Sequence, residues 1–183
     1  MFFRILSHKG AFLPKERVDR IRKDKAIAER IEKQCKCKMK IVDDTIEISG
    51  DAFNEFSAKN VITAFGRGFD IDAACSLMSD DYYFATIDLG QAFGSDKRIQ
   101  QIKARIIGIG GKTKKYIEGV SQAKLSIYGE SISFIGTTSA INEAQTAVNT
   151  LIEGGTHRIA YLRMETAHRK NKEEARAAAF RAI

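Results

Sequence analysis

The chain has 183 residues, of which 44% are hydrophobic and 29% charged, and its formal net charge is +7. This composition is typical of a globular protein and excludes a disordered or collagenous chain. No uninterrupted apolar run of about 18 residues occurs, so we expect no membrane span. The N-terminal MFFRILSHKGAF lacks the features of a signal peptide, and we expect a cytoplasmic protein.

The first half predicts a mixed α and β structure, read in chain order from hydrophobic periodicity. The predicted elements are a strand at FFRIL, a helix at KERVDRI, a loop at Arg22–Lys25, a helix at KAIAERIEKQ, strands at KMKIV and TIEIS, and a helix at DAFNEFSAKNVITAF. After them comes an aspartate-rich stretch containing Asp70, Asp72, Asp80 and Asp81, which we interpret as a solvated acidic linker.

The second half predicts the same order again. A strand at YYFATIDL is followed by a helix at SDKRIQQIKARII, a glycine loop, a helix at KTKKYIEGV, strands at KLSI and SISFIG, and a helix at TTSAINEAQTAVNTLIEGG. Ile99, Ile102 and Ile106 recur at helical spacing and should lie inward. Residues 156–183 are rich in Ala, Glu, Lys and Arg, which favours a long C-terminal helix.

The two halves also match residue by residue at an offset of 86 without a gap, the mark of an internal repeat. The matched pairs are Ile31/Ile117, Glu32/Glu118, Lys38/Lys124, Met39/Leu125, Ile41/Ile127, Ile46/Ile132, Gly50/Gly136 and, further out, Ile21/Ile107, Ala58/Ala144 and Gly68/Gly154. We therefore predict two related domains, at residues 1–78 and 79–183.

Basic charge is concentrated in two places. Residues 96–124 hold eight basic and two acidic side chains, and residues 156–183 hold seven and three. This distribution is typical of a nucleic-acid footprint, although a solvated basic surface with no polyanion remains an alternative.

The glycine loop in RIIGIGGKTKKYIEG fits a backbone clamp better than a nucleotide site. A P-loop requires glycine at position 106, which is Ile, and a dinucleotide fingerprint requires glycine at position 113, which is Thr. Both also require a preceding strand, whereas the preceding segment has helical spacing. A glycine turn followed by a helix start can approach a sugar–phosphate chain closely, and a generic turn between helices is the alternative.

This arrangement resembles the KH domain, whose G-x-x-G loop clamps about four nucleotides of a single strand. The resemblance implies an α+β fold of two tandem type I KH domains, each β-α-α-β-β-α with a three-stranded antiparallel sheet and three helices on one face. A C-terminal helix follows them. The first copy has Arg22–Lys23–Asp24–Lys25 where the second has glycines, so it is expected to keep the scaffold without the clamp.

The KH resemblance also implies the RNA-binding residues of the second domain. Ile107 and Ile109 would floor a groove beside the loop, and Lys124 and Ser126 would border it from KLSI, taken as the middle strand. The full set is Arg105, Ile107, Gly108, Ile109, Gly110, Gly111, Lys112, Lys114, Lys115, Lys124 and Ser126.

Over nearly its full length the chain is similar to the archaeal and eukaryotic ribosome-assembly KH proteins of the "partner of Nob" family. The match is carried by GFDIDAACSLM, RIIGIGGKTKKYIE, ISFIGTTSAINEAQTAVNTLIEGG and HRIAYLRMETAHRK. It implies binding to pre-ribosomal RNA near the 3′ end of small-subunit (16S-type) rRNA, with the rRNA-trimming endonuclease and an initiation-factor subunit as partners. The family loop usually reads G-K-G-G, whereas Ile109 stands here, which shifts the expected phosphate grip to Lys112, Lys114 and Lys115.

Two alternatives to this function remain open from the sequence, namely a protein–protein adaptor on the pre-ribosome and a general mRNA-binding regulator. We expect no catalysis, because His8, His157 and His168 lie far apart in the sequence and beside no plausible nucleophile arrangement. We expect no cofactor and no metal. Cys35, Cys37 and Cys75 lack metal-binding or redox spacing.

Overall fold

The computed structural model describes residues 10–42 and 45–181. The chain divides into two compact units, residues 1–84 and 85–183. The domain division proposed from the sequence lies a few residues earlier, between residues 78 and 79. Among the described residues, none of the helices combines the length and the hydrophobicity needed to cross a membrane.

The first unit consists of a three-stranded antiparallel sheet and of helices that lie between and after its strands along the chain. Its elements are β1 (Gly10–Phe12), α1 (Lys15–Lys23), α2 (Lys25–Cys35), β2 (Lys38–Val42), β3 (Thr45–Ser49), α3 (Ala52–Gly66) and α4 (Ile71–Cys75), with a 3₁₀ turn at Ser76–Met78. The sheet has the order β1–β3–β2. Ile41 lies opposite Ile46 across the β2–β3 pair, and Ala11 lies opposite Ile46 on the other side.

Two expectations for the first half need correction, and a third concerns residues that the structure does not describe. The strand expected at FFRIL lies outside the described residues, and the described β1 forms at the end of the same N-terminal stretch, MFFRILSHKGAF. The expected loop Arg22–Lys25 is a single residue, Asp24, because α1 and α2 extend to either side of it. The acidic-linker interpretation is wrong for residues 70–78, where Asp70 caps α4 by accepting from the Ala73 N–H at 2.7 Å.

Among the described residues of the first unit, one charged side chain is buried. Arg17 is buried, and its guanidinium donates to the carbonyl oxygens of Phe65 at 2.8 Å and Phe69 at 2.6 Å. It also lies 4.0 Å over the Phe65 ring. These bonds satisfy the buried cation and tie α1 to the C-terminal end of α3.

The second unit repeats this architecture and adds a long helix. Its elements are β4 (Tyr83–Asp88), α5 (Leu89–Ala92), α6 (Asp96–Ile107), α7 (Lys112–Ser121), β5 (Lys124–Tyr128), β6 (Ser131–Gly136), α8 (Thr138–Ile152) and α9 (His157–Arg181), with a 3₁₀ turn at Ile109–Gly111. The sheet has the order β4–β6–β5. The short helix α5 was not predicted, whereas the strands at KLSI and SISFIG, the helices on either side of the loop and the long C-terminal helix were.

One apolar core holds the second unit together. It combines the predicted inward face of α6 (Ile99, Ile102 and Ile106) with the inward faces of α7, α8, β5 and β6, and it includes Ala160 and Met164 of α9. The first part of α9 therefore belongs to the packed domain. From Lys172 to Arg181 every residue of α9 is exposed.

The 86-residue offset recurs in the backbone from α2 onward. β2, β3 and α3 begin where β5, β6 and α8 begin once 86 is added to their numbers. The two non-glycine residues described with positive φ, Lys36 (50°) and Gln122 (63°), are also 86 residues apart, and each ends a helix. Before α2 the two units no longer correspond at an offset of 86 residues: Ile21 is buried, whereas its predicted equivalent Ile107 is 38% exposed.

Candidate nucleic-acid interface

The glycine loop joins α6 to α7 through a sharp, left-handed bend. Gly108 has φ 71° and ψ 173°, Gly110 has φ 59°, and Gly111 has φ 76°. L-residues with a side chain rarely adopt such values, so the chain can bend here only because these positions are glycine. Because of this bend, α7 begins immediately after the loop, at Lys112.

The three glycines have different surroundings. A Cβ atom on Gly108 would lie 2.3 Å from Oγ1 and 2.8 Å from Cβ of Thr113, which is buried. A Cβ on Gly110 or Gly111 would meet no atom within 4 Å. Gly108 is therefore the closed base of the loop, and the backbone at Gly110 and Gly111 is uncovered.

The N-terminal end of α7 has no side-chain cap among the described residues, although the Lys112 N–H donates to the Ile109 carbonyl oxygen. Gly111 is the residue that precedes this helix. The first N–H groups of a helix have no intrahelical acceptor, and the helix dipole gives this end a partial positive charge of about +0.5. This end of α7 can therefore bind an anion.

Lysines and isoleucines surround this helix end. Lys112 and Lys115 are exposed, whereas Lys114 is 35% exposed and its Nζ lies 3.9 Å from Oε1 of Glu118. Ile109 is 90% exposed, so it lies at the rim of the loop and not on the expected groove floor. An apolar rim beside two exposed lysines, for which the described residues supply no ion-pair partner, suits a ligand with both phosphates and flat, apolar faces.

Of the other residues predicted to bind RNA, Arg105, Lys124 and Ser126 differ in their exposure and contacts. Arg105 donates to the Leu151 carbonyl at 2.9 Å and to the Gly155 carbonyl, so its guanidinium caps the C-terminal end of α8. Lys124 is exposed and Ser126 is buried. The expectation that KLSI is the middle strand is wrong in space, because β6 is central and β5 is at the edge of the sheet.

The structure adds side chains that the sequence analysis did not select. Thr113 supports Gly108 from below, and its hydroxyl accepts a hydrogen bond from Tyr161 at 3.2 Å. His157 of α9 bonds the Arg105 carbonyl at 3.0 Å. The four-residue spacing of His157 and Tyr161 was available in the sequence, but nothing there indicated what that face of α9 contacts.

The equivalent place in the first unit is closed. Asp24 alone joins α1 to α2, and its carboxylate accepts from the Ala26 N–H at 3.1 Å. A negative charge from the chain itself therefore occupies the N-terminal end of α2, the position that no described side chain caps at α7.

Comparisons with known proteins identify the family. The model for the second KH domain of PNO1, described as a eukaryotic-type KH domain (KH-domain type I), matches residues 83–169. A KH domain-containing protein of Methanocaldococcus jannaschii is 34% identical over 167 residues, which are 87% of this chain and 74% of that protein. The pre-rRNA-processing protein pno1 of Schizosaccharomyces pombe is 32% identical over 114 residues. This chain belongs to the PNO1 family of KH-domain pre-rRNA-processing proteins.

Membership of the PNO1 family confirms the "partner of Nob" resemblance. The match to the Schizosaccharomyces protein covers 61% of this chain and 47% of that protein, so the eukaryotic relative is much longer than the shared region. In the crystal structure of an a/eIF2α–aDim2p–rRNA complex from Pyrococcus horikoshii, a chain with 28% identity superimposes with a TM-score of 0.80. It covers 88% of this chain and 94% of its own length.

Proposed function

We propose that this PNO1-family chain binds single-stranded pre-rRNA near the 3′ end of small-subunit rRNA and assists small-subunit maturation. The observation that carries the proposal is the N-terminal end of α7, which no described side chain caps, behind the bare backbone of Gly110 and Gly111. The second KH domain is the binding module, and its contact set comprises the loop Gly108–Gly111 with Lys112 and Lys115.

The physical basis is a match between this surface and a flexible phosphate chain. Helix N–H groups and lysines neutralise phosphates, and the absence of side chains at Gly110 and Gly111 allows the strand to approach the backbone. Single-stranded RNA leaves its bases free to lie over neighbouring apolar atoms, here Ile107 and Ile109. A double helix keeps its bases paired and stacked, so they would not be free to lie over these side chains.

The first unit is proposed to be a second type I KH fold that does not clamp RNA. The 86-residue offset of its helices, strands and positive-φ residues supports the shared fold. Asp24 supports the proposal that the first unit does not clamp RNA, because its carboxylate occupies the N-terminal end of α2 and would repel a phosphate. The first unit is then available to support the second domain or to bind a protein.

The partners follow from the family. The Pyrococcus relative was crystallised with rRNA and with the α subunit of an initiation factor. We propose that this chain contacts the corresponding initiation-factor subunit and the endonuclease that trims the 3′ end of small-subunit rRNA. Its role is to present that end of the RNA.

A charge-reversed loop tests the proposal. In the double variant Gly110→Asp, Gly111→Asp, two carboxylates stand where phosphates would bind, in space that is empty in the protein. We expect binding of an oligonucleotide with the 3′-terminal small-subunit rRNA sequence to be lost, measured by a filter-binding titration. Circular dichroism should remain that of the folded protein.

The matched control is Gly129→Asp. Gly129 lies in the β5–β6 turn, has φ 56°, and likewise has no atom within 4 Å of a built Cβ. It therefore imposes the same kind of backbone strain at one position and half the charge change on another surface, and its RNA affinity should stay near that of the unmodified protein. Unchanged affinity of the double loop variant would refute the proposed site.

Crosslinking to RNA separates the clamp from the adaptor function. Crosslinks between residues 108 and 126 are expected if the second domain holds the strand. Crosslinks confined to residues 157–181 would instead indicate that α9 alone touches RNA and that the KH folds bind proteins. Sequencing of the crosslinked RNA would show whether it is rRNA or mRNA.

A further inference from the structure

The first three turns of α9 contact both sides of the glycine loop. His157 Nε2 lies 3.0 Å from the carbonyl oxygen of Arg105, in the last turn of α6 and three residues before Gly108. Four residues later, Tyr161 reaches the start of α7. Residues four apart share one face of a helix, so a single face of α9 bonds the segment before the loop and the segment after it.

On the α7 side the contact passes directly under the loop. The Tyr161 hydroxyl donates to Oγ1 of Thr113 at 3.2 Å. Thr113 is buried, and it is the residue that a Cβ on Gly108 would strike. A change in the Thr113 rotamer would therefore remove the surface on which the Gly108 backbone rests.

The next residue of the same face continues the contact. Glu165, four residues after Tyr161, accepts a hydrogen bond from the Tyr116 hydroxyl. The Tyr116 and Tyr161 rings lie with their centroids 4.3 Å apart. The hydrogen bond to Glu165 raises the pKa of Tyr116.

The rest of α9 is fixed to α8, away from the loop. Glu143 of α8 is buried, and its carboxylate accepts from Asn171 at 2.7 Å and lies 2.8 Å from Nδ1 of His168. Arg163 bonds the Thr150 hydroxyl. Because α9 is anchored independently in this way, its 157/161/165 face is a rigid support for the loop flanks.

We propose that Tyr161 is a positioning residue for RNA binding: through Thr113 it holds the glycine loop in the conformation that accepts phosphate. This inference rests on the proposed function and assigns a role to a side chain that does not itself touch RNA. The physical effect is pre-organisation. If the loop adopts the RNA-binding conformation only part of the time, the apparent affinity for RNA falls in proportion to that fraction.

The test uses three variants of the full chain. Tyr161→Phe keeps the ring that packs on Tyr116 and removes the hydroxyl, and Thr113→Val removes the acceptor while keeping the side-chain shape. The third is their combination. Tyr83→Phe, at an exposed tyrosine of β4, is the matched control.

Two measurements are made on each protein well below its melting temperature. The first is hydrogen exchange of the amides of residues 109–113 without RNA, and the second is affinity for the 3′-terminal rRNA oligonucleotide as a function of salt. We expect Tyr161→Phe to speed exchange and to weaken binding by about threefold to tenfold, the factor that one neutral hydrogen bond supplies. The salt dependence should be unchanged, because no phosphate contact is lost.

The combined variant should bind no more weakly than either single variant, since both remove the same bond. Unchanged affinity in Tyr161→Phe overturns the proposal, whether or not the melting temperature or the exchange changes. Weaker binding with unchanged exchange also overturns it, because Tyr161 would then contact RNA directly. If the unmodified protein does not bind the oligonucleotide, the proposed function itself fails, which is a separate result from a variant that binds as well as its parent.

Discussion

The Glu118 carboxylate of α7 accepts a hydrogen bond from the backbone N–H of Leu125, the second residue of β5, at 2.8 Å. Exactly one repeat earlier, at the same 86-residue offset, Glu32 of α2 accepts from Met39 of β2 at 2.7 Å. Each bond ties the helix to the edge strand of its own sheet. The repeat therefore extends to individual hydrogen bonds, even though the two units differ at the loop that precedes the helix.

Removing this acceptor should destabilise the unit that contains it. In Glu118→Ala the Leu125 N–H loses its partner, and we expect the unfolding free energy of the second unit to fall by about 1–2 kcal/mol. Glu118→Gln retains an acceptor oxygen and should cost less. Native-state hydrogen exchange of α7 and β5 measures both variants, and equal losses for Ala and Gln would contradict this role of the carboxylate.

The exposed lysines at the start of α7 should account for much of the salt dependence of RNA binding. We expect Lys112→Gln and Lys115→Gln each to reduce the slope of log K against log salt by about 0.7. Lys114→Gln should have a smaller effect, because Lys114 lies near Glu118. Lys97→Gln is the control, since it lies in the first turn of α6, about 15 Å along the helix from the loop. An equal effect at Lys97 would indicate a diffuse electrostatic surface.

A lysine at position 109 should strengthen the binding of RNA phosphates by the loop. The Ile109 side chain is 90% exposed, so Ile109→Lys changes the ligand surface with little effect on packing. We expect tighter binding at low salt and a slope steeper by about 0.7, as for one added phosphate contact. Ile109→Gln, which adds polarity without charge, should not steepen the slope. Weaker binding by Ile109→Lys at low salt would instead show that RNA uses the apolar side chain.

Two glycine substitutions should change stability in opposite directions. Gly108→Ala puts a side chain at φ 71°, ψ 173°, a conformation essentially confined to glycine that costs about 1–3 kcal/mol, and adds a steric clash with Thr113 that costs about 1–3 kcal/mol. Gly119→Ala lies within α7, where a Cβ would meet no atom within 4 Å, and should stabilise the second unit by about 0.5–1 kcal/mol. Thermal unfolding followed by circular dichroism measures both, and a neutral Gly108→Ala would contradict the closed base of the loop.

The three cysteines should report opening of the first unit. All are buried, and desolvation is the main cause that raises the pKa of Cys35 to about 12 and the pKa values of Cys37 and Cys75 above the ordinary thiol value near 9.0. At pH 8 a thiol reagent should therefore label them only as the unit opens, and bound RNA should not slow the labelling. Labelling as fast as that of an unfolded peptide would contradict this.

The same raised pKa values give a direction to the pH dependence. The folded thiols hold their protons at a pH where the unfolded thiols release them, so unfolding is favoured as the pH rises above about 9. The contribution of the thiols to stability is thus constant below pH 9 and decreases from about pH 9 towards 12. Replacing Cys35 by Ser should weaken this alkaline decrease.

Much of the repeated architecture could be predicted because its signals are local. The inward isoleucines of α6 and the alternating strands follow from periodicity, and the helix after TIEIS has a capping Asp51 whose carboxylate accepts from the Asn54 N–H at 2.9 Å. The match of helices and strands at an offset of 86 follows from the same spacing of apolar residues in both copies.

The features that were missed depend on tertiary contacts. The segment with Asp70 and Asp72 appears polar and unstructured in the sequence, yet Asp70 caps α4 and Asp72 pairs with Arg30, 42 residues away. Arg105 stood in a basic cluster, and only the structure shows that its guanidinium caps α8. The Asp72–Arg30 pair and the Arg105–Leu151 bond join groups that are remote in sequence, which periodicity cannot reveal, whereas the Asp70 cap is a local bond.

Asp24 has a thermodynamic consequence for the whole chain. Its carboxylate is part of the same chain and hydrogen-bonds the N-terminal end of α2. This helix end is therefore stabilised whether or not RNA is present. Under the proposed function, the end of α7 is neutralised only when RNA binds. Folding of the second unit is therefore linked to occupancy, and RNA at 100 times its dissociation constant should raise that unit's unfolding free energy by about 2.7 kcal/mol while leaving the first unit unchanged.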